Sequence, residues 1–224
     1  MSSVQLTCWQ PSPTRLDLDR QTAHLWRFRL DLSAAEIGTL THLLSAEEQH
    51  RATRLRDPAK GAHFIVGRGR LRQILARYLD CPPTVIEFSS TAQGKPHLTA
   101  CKGLSFNLAH AGEWGILLVA AGSEVGVDIE QIDPRLDFEQ VVARYFSAAE
   151  ESAMQRCPAP RQRRFFFRLW TRKEAGLKYQ GCGFSAPLSA TDSKARSRLF
   201  TPARGYLGAL TVVDRIAVVQ RWDF

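Results

Sequence analysis

Leu44-Ser45-Ala46-Glu47-Glu48 and Phe146-Ser147-Ala148-Ala149-Glu150 are near copies whose serines stand 102 residues apart, close to half of the 224-residue chain. In each, a serine is followed three positions later by a glutamate, the capping box that satisfies free N–H groups at a helix start. Each copy also precedes a long stretch of helical periodicity. In 61–79, Phe64, Ile65, Leu71, Ile74, Leu75 and Tyr78 recur at near-helical spacing with Arg68, Arg70, Arg72 and Arg77 between them, and Asp80-Cys81-Pro82-Pro83 ends the pattern. The spacing predicts the second long helix over 163–179. A unit written twice implies two related bodies. The expected fold is therefore α+β: two similar α/β halves related by a pseudo-twofold axis, 1–132 and 133–224, dividing near Asp133-Pro134. A cleft between such halves is where a ligand site is expected.

Strand candidates surround these helices. They lie at 5–9, 22–32, 85–88, 103–108, 114–121, 125–129, 206–213 and 216–222, separated by turns containing Gly or Pro. The alternation of Ala23, Leu25, Trp26, Phe28 and Leu30 with polar residues suits a strand buried on one face. Pro11 and Pro13 mark a loop.

With 44% apolar and 23% charged residues the chain has the composition of a globular domain with its own core. The formal net charge of +8 points to an anionic partner: a nucleotide, a nucleic acid, an acidic protein or a lipid surface. The five cysteines, Cys8, Cys81, Cys101, Cys157 and Cys182, are odd in number and form no CxxC pair. Neither a disulfide framework nor a zinc site is expected, and a reducing cytoplasm is the simplest location. No secretory leader and no apolar run of membrane-spanning length is present.

Two short stretches carry the chemistry. In 125–130, VGVDIE, Asp128 and Glu130 are two apart and share one face of a strand. In 170–178, WTRKEAGLK, Glu174 and Lys178 are four apart and share one face of a helix, with Trp170 one turn earlier. The first pair alone suits a solvated strand rim, and the second alone suits ordinary helix stabilisation. Together, a strand end and a helix that converge would set three carboxylates and one ammonium around a point. Such a point suits a hard cation, with a positive charge beside it for a phosphate.

GVDIE followed at this spacing by WTRKEAGLK resembles the paired signature of the 4′-phosphopantetheinyl transferases. Gln93-Gly94-Lys95-Pro96-His97-Leu98 resembles the family's GKP loop, and Phe106-Asn107-Leu108-Ala109-His110-Ala111-Gly112 its FN-x-SH-x-G element. The resemblance spans about 45–184 and is to the larger, pseudo-duplicated, surfactin-synthetase-activating (Sfp) type. It implies transfer of the phosphopantetheine arm of coenzyme A to a serine of an acyl, peptidyl or aryl carrier protein, with release of adenosine 3′,5′-bisphosphate. It further implies Mg²⁺, with Mn²⁺ not distinguished, held by Asp128, Glu130 and Glu174. Glu174 becomes the general base and Lys178 the charge over the departing phosphate. Lys95 and Pro96 would line the nucleotide, with Lys95 acting through its backbone. His110, Arg51 and Arg54 would serve the 3′-phosphate. Where the family commonly has a serine before that histidine this chain has Ala109, so any hydroxyl contact there is lost.

The remaining residues take plainer roles. Trp170 and the run Phe165-Phe166-Phe167 are expected in the core, and Arg172 and Lys173 on the surface, off the Glu174/Lys178 face. Arg161, Arg163, Arg164 and Arg168 form a candidate docking surface for an acidic carrier. The two-half design suggests a monomer, and the resemblance implies neither a nucleic-acid nor a membrane partner. A metal-dependent nuclease or phosphodiesterase would use similar carboxylates and basic charge, and a non-catalytic module for acidic proteins would use the charge alone. Neither alternative calls for the GKP loop or the FN-x-x-H element.

Overall fold

The computed structural model describes residues 4–101, 103–181 and 195–224; Cys182 and the loop expected after the second long helix lie outside them. The two capping boxes form as the serines predict. Ser45 caps α2 (Ala46–Thr53) and Ser147 caps α5 (Ala148–Arg156), each with its glutamate bonded back to the serine. A third box, Ser33 with Glu36, opens α1 (Ala34–Thr41), which sequence reading passed over although the same signature is present. The short α4 (Glu139–Tyr145) was also not anticipated.

The long helices α3 (Pro58–Leu79) and α6 (Ala159–Gln180) are both 22 residues. Both end on a residue in the left-handed region, Asp80 at φ 48° and Gly181 at φ 69°, which frees the chain to turn away. Each helix also ties itself to the capped helix before it. Arg72 Nε donates to Glu48 Oε2 at 2.8 Å and Arg68 Nε to Glu48 Oε1 at 2.6 Å, while Lys173 pairs with Glu150 at 2.8 Å. Counted from the helix starts, Arg72 and Lys173 both occupy position fifteen. The internal repeat thus extends from the caps to a tertiary ion pair. Lys173 is a buried tie, lying over the Phe146 ring, rather than the surface residue expected.

Among the described residues ten strands form two sheets and a hairpin. The five-stranded sheet runs β1 (Gln5–Pro11), β10 (Val218–Asp223), β2 (Thr22–Arg29), β6 (Trp114–Ala121), β5 (Leu104–Ala111). In it β10 lies parallel to both β1 and β2, so the last strand of the chain completes the first sheet. The three-stranded antiparallel sheet runs β7 (Val125–Gln131), β9 (Tyr206–Val213), β8 (Ala195–Phe200). The division expected after residue 132 would put β7 with the first half, yet its hydrogen bonds join it to β9. Apolar sequence marked the strand, and only pairing chose its sheet.

A short hairpin joins β3 (Phe88–Ser90) to β4 (Pro96–Leu98). The strand expected at 85–88 is displaced: Pro83–Val85 form a 3-10 turn, where Pro83 offers no N–H to a ladder, and extended pairing begins only at Phe88 as β3.

The sheets face each other across one core that includes Leu25, Ile116, Leu118, Val125, Val127, Ile129, Leu210 and Val212. On its other face the first sheet meets α3 through Trp26, Phe28, Leu71, Ile74 and Leu75. Sandwiched between these layers, β2 is buried on both faces and not on one as its alternation suggested. The second sheet carries α6 on its outer side, where Phe166 and Phe167 pack with Phe146, Met154 and Leu207. Ala109 is part of the inter-sheet core at 4% exposure. An alanine there is a packing residue.

Candidate active site

On β7, Val125, Val127 and Ile129 point into the inter-sheet core, so the alternate positions 126, 128 and 130 turn toward α6. Gly126 makes this approach possible. A Cβ at that position would lie 2.1 Å from the Ala175 carbonyl oxygen and 2.3 Å from the Tyr179 nitrogen, both backbone atoms of α6. With no side chain between them, the helix settles on the strand and Lys178 Nζ reaches Asp128 Oδ1 at 2.6 Å. Two turns nearer the helix start, Trp170 Nε1 donates to Glu130 Oε1 at 3.0 Å. Trp170 also stacks on Phe166, so it is core and site support at once.

The three carboxylates feel one another. Burial pushes the Glu130 carboxyl up to about 7, the Asp128 and Glu174 charges adding to the effect and the Trp170 hydrogen bond opposing it. Glu174 is likewise raised, by burial and by Asp128, against the pull of Lys178. Asp128 is raised by burial despite its ion pair. Among the described residues no three His, Cys, Asp or Glu side chains converge closely enough to make a ready cage for a metal ion. Yet Asp128 Oδ2 is buried with no hydrogen-bond partner, beside two further carboxylates whose ionised forms are disfavoured. An all-oxygen set with an unsatisfied buried lone pair fits a hard divalent cation.

A cavity of about 300 Å³ opens beside this cluster. Gln93, Gly94, Lys95 and Pro96 of the hairpin loop and Asn107 and Leu108 of β5 form one wall; Glu174, Leu177, Lys178 and Gly181 form the other. The walls come from the two halves, as a cleft site requires. Gly94, at φ 85°, holds the loop turn that Thr91 closes by accepting from the Lys95 N–H. The Lys95 ammonium is committed elsewhere: it bonds Glu124 at 2.6 Å, the Val125 carbonyl at 3.1 Å and the Tyr179 carbonyl at 3.2 Å. It therefore staples the loop to β7 and the end of α6. A second cavity of about 320 Å³, between α4, α5 and α6, has only Glu139 and Glu151 as charged lining and no cation for a phosphate.

His110 sits at the exposed end of β5, its imidazolium disfavoured by burial and by the charges of Lys178 and His63. Nothing in the local sequence of His63, on α3, sets it apart as a neighbour of this site. Asn107 has a role beyond its place in the FN-x-x-H element: its side-chain oxygen accepts from the Val127 N–H at 2.8 Å, joining β5 of one sheet to β7 of the other under the cavity. A buried amide in an otherwise apolar strand was the available signal. Arg51 and Arg54 do not line the cavity. Both are exposed on or just after α2, with Arg51 over the Phe64 ring at 5.3 Å.

Comparison with known proteins now bears on this geometry. Residues 124–205 match the family model of the 4′-phosphopantetheinyl transferase superfamily, and 31–123 match that of the 4′-phosphopantetheinyl transferase N-terminal region. The 4′-phosphopantetheinyl transferase HetI of Nostoc is 36% identical over 180 residues, covering 79% of this chain and 76% of that protein. This chain belongs to the 4′-phosphopantetheinyl transferase superfamily. A 4′-phosphopantetheinyl transferase of Bacillus subtilis is 30% identical over 71% of this chain and 70% of its own length. AcpT of Salmonella typhi is 38% identical over 57% of this chain and 65% of its own. The two family matches meet between residues 123 and 124, immediately before β7, as two consecutive halves should. The protein is thus a transferase, which sets aside the nuclease and binding-module alternatives. Among the described residues of this phosphopantetheinyl transferase no helix is long and apolar enough to cross a membrane.

Proposed function

We propose that this transferase moves the 4′-phosphopantetheine arm of coenzyme A onto a serine of an apo acyl, peptidyl or aryl carrier protein. The observation that carries the reading is the cavity walled by both halves, which Glu174 and Lys178 line with Lys178 paired to Asp128 behind it. The serine oxygen bonds to the phosphorus bearing the arm as the bond from that phosphorus to the bridging oxygen breaks, and adenosine 3′,5′-bisphosphate leaves. Glu174, whose carboxylate is made more basic by burial, takes the hydroxyl proton directly or through a water. Lys178, pinned by Asp128, is a fixed positive charge for the leaving oxygen, and preorganised charge of this kind is where phosphoryl-transfer catalysis mostly resides. The Gly94 turn and Pro96 form an apolar-edged floor for the nucleotide, and His110, near enough to Lys178 to feel its charge, is the proposed donor to phosphate oxygens. Asp128, Glu130 and Glu174 would hold Mg²⁺ or Mn²⁺, which when bound supplies charge neutralisation at phosphate oxygens.

The free state of Cys8, Cys81, Cys101 and Cys157 supports a reducing, cytoplasmic setting. Because both walls of the site come from one chain, a monomer is sufficient for activity. The halves are proposed to act as separate walls of one cleft, held in register by Asn107 and β10.

Intact-mass analysis of an apo carrier protein incubated with this protein, coenzyme A and Mg²⁺ tests the reading. The expected result is a gain of one phosphopantetheine that disappears with chelator. In Glu174→Gln the rate should fall about 100-fold or more, in the range of a lost general base, with the melting temperature held. A gain that survives both chelation and the substitution would overturn the assigned roles.

A further inference from the structure

Lys95 stands in the Gly94 loop, but its ammonium is spent on the other half of the molecule. The acceptors are Glu124 Oε2 at 2.6 Å, the Val125 carbonyl at 3.1 Å and the Tyr179 carbonyl at 3.2 Å. All three lie past the boundary of the two family matches between residues 123 and 124. An ammonium has three N–H donors and no more. Each meets a protein acceptor here, and the side chain is only 11% exposed, so a phosphate could gain Lys95 only by breaking this arrangement. The stem is fixed as well: a Cβ on Gly181, just past the end of α6, would stand 3.3 Å from Lys95 Cδ.

The Tyr179 contact falls where a helix favours a cation. Gly181 N–H to the Leu177 carbonyl is the last backbone bond of α6 among the described residues, and the Tyr179 carbonyl lies beyond it. Carbonyls of a last turn carry the negative end of the helix dipole, and a nearly buried ammonium there steadies the turn. That turn also carries Lys178, the residue before Tyr179, whose Nζ lies 2.6 Å from Asp128 Oδ1. On the strand side Lys95 holds Val125, the first residue of β7, in the strand that carries Asp128. Between the two holds lies the Gly126 contact, where strand and helix backbones touch. One strand–helix pair is thus gripped twice, by Lys178 from the helix itself and by Lys95 from the loop that floors the cavity. We propose that Lys95 is a positioning residue for Lys178: it caps the last turn of α6 from the opposite half, so that seating a nucleotide on the loop and placing the cation at the leaving oxygen are one event. The role of Lys178 in this rests on the proposed function.

The test compares two variants of the full chain. Lys95→Met keeps the stem and removes all three donors, while Arg15→Met removes an equal charge from an exposed loop arginine. In the free protein, amide hydrogen exchange at 178–181 should quicken about tenfold in Lys95→Met alone, with exchange at 166–171 and the melting temperature unchanged. In transfer to an apo carrier protein, kcat should fall about tenfold or more while the KM for coenzyme A moves less than about threefold, because the loop backbone stays in place. A raised KM at unchanged kcat would make Lys95 a phosphate ligand and overturn the proposal. Unchanged exchange at 178–181 would overturn it too, as would exchange that quickens throughout α6 with a lower melting temperature, the mark of a merely structural lysine. The exchange arm needs no transfer reaction. A wild-type protein that modifies no carrier would sink the proposed function, and exchange at 178–181 would still decide whether Lys95 caps the helix.

Discussion

Helices α3 and α6 are built to one plan and used for opposite ends. Both have 22 residues, both follow a capped helix, and both pin the box glutamate with a base at position fifteen. In α3 the basic residues are turned inward. Arg72 is 3% exposed on its side chain, and besides Glu48 it serves the Pro83 and Ile86 carbonyls, while Arg77 reaches Ser12 at 2.5 Å. In α6 the tie has shrunk to one lysine; Arg161, Arg164, Arg168 and Arg172 are exposed, and Lys178 is turned to Asp128 at the site. What lies beneath differs too. Under α3 the first sheet buries His24, its Nδ1 2.7 Å from the Tyr78 hydroxyl; under α6 the second sheet buries Asp128 and half-buries Glu130. A duplicated scaffold kept its fasteners and changed the charge it encloses.

Breaking the seat of α6 should have the largest effect. Gly126→Ala forces backbone apart at a contact of 2.1 Å, and the helix cannot yield without moving Lys178 off Asp128. Transfer activity should drop about 100-fold or more, on the scale that a misplacement near 1 Å carries. An alanine variant with full activity would mean that α6 is not fixed by this contact.

The two ion pairs should separate next. Arg72→Met strands a nearly buried glutamate carboxylate with one arginine fewer and should cost about 3 to 5 kcal/mol in denaturant unfolding. Lys173→Met, whose partner Glu150 keeps 27% side-chain exposure, should cost about 1 kcal/mol, water taking over part of the solvation. Equal costs would mean that burial does not distinguish the ties.

Acid and base should then strain different halves. Burial holds His24 down at about 4, so its contribution to stability is full above the ordinary value of 6.5 and is lost as pH falls from there toward 4. That loss is worth up to about 3 kcal/mol for a shift of this size. Glu130 runs the other way: raised to about 7, it contributes fully below its ordinary value of 4.5 and the contribution is lost as pH rises through 7. Urea unfolding across pH should show His24→Gln flattening the acid limb and Glu130→Gln flattening the limb above 4.5, each leaving the other in place. One variant moving both limbs would show that the halves titrate as a unit.

Much of the site could be read from local pattern because its chemistry is local. Glu174 and Lys178 share a helix face by spacing alone, and Asp128 and Glu130 a strand face. What spacing could not supply was commitment. The GKP loop suggests a backbone role for Lys95 but not the three protein acceptors that hold its ammonium, and the spacing puts Lys173 on the surface whereas it holds α6 to α5. Arg51, on the helix with Glu48, and Arg54, just after it, do not line the cavity that Gly94 and Asn107 help to form.

The sequence by itself determined the caps, the two long helices, most strands and the family, since each rests on periodicity or on a contiguous motif. Tertiary structure alone decided that β7 joins β9, that β10 closes the first sheet between β1 and β2, and that Asn107 bridges the sheets. Strand pairing and the fate of long charged side chains depend on neighbours far along the chain. Their energies are set by which groups lose water together, and no stretch of sequence contains both members of such a pair.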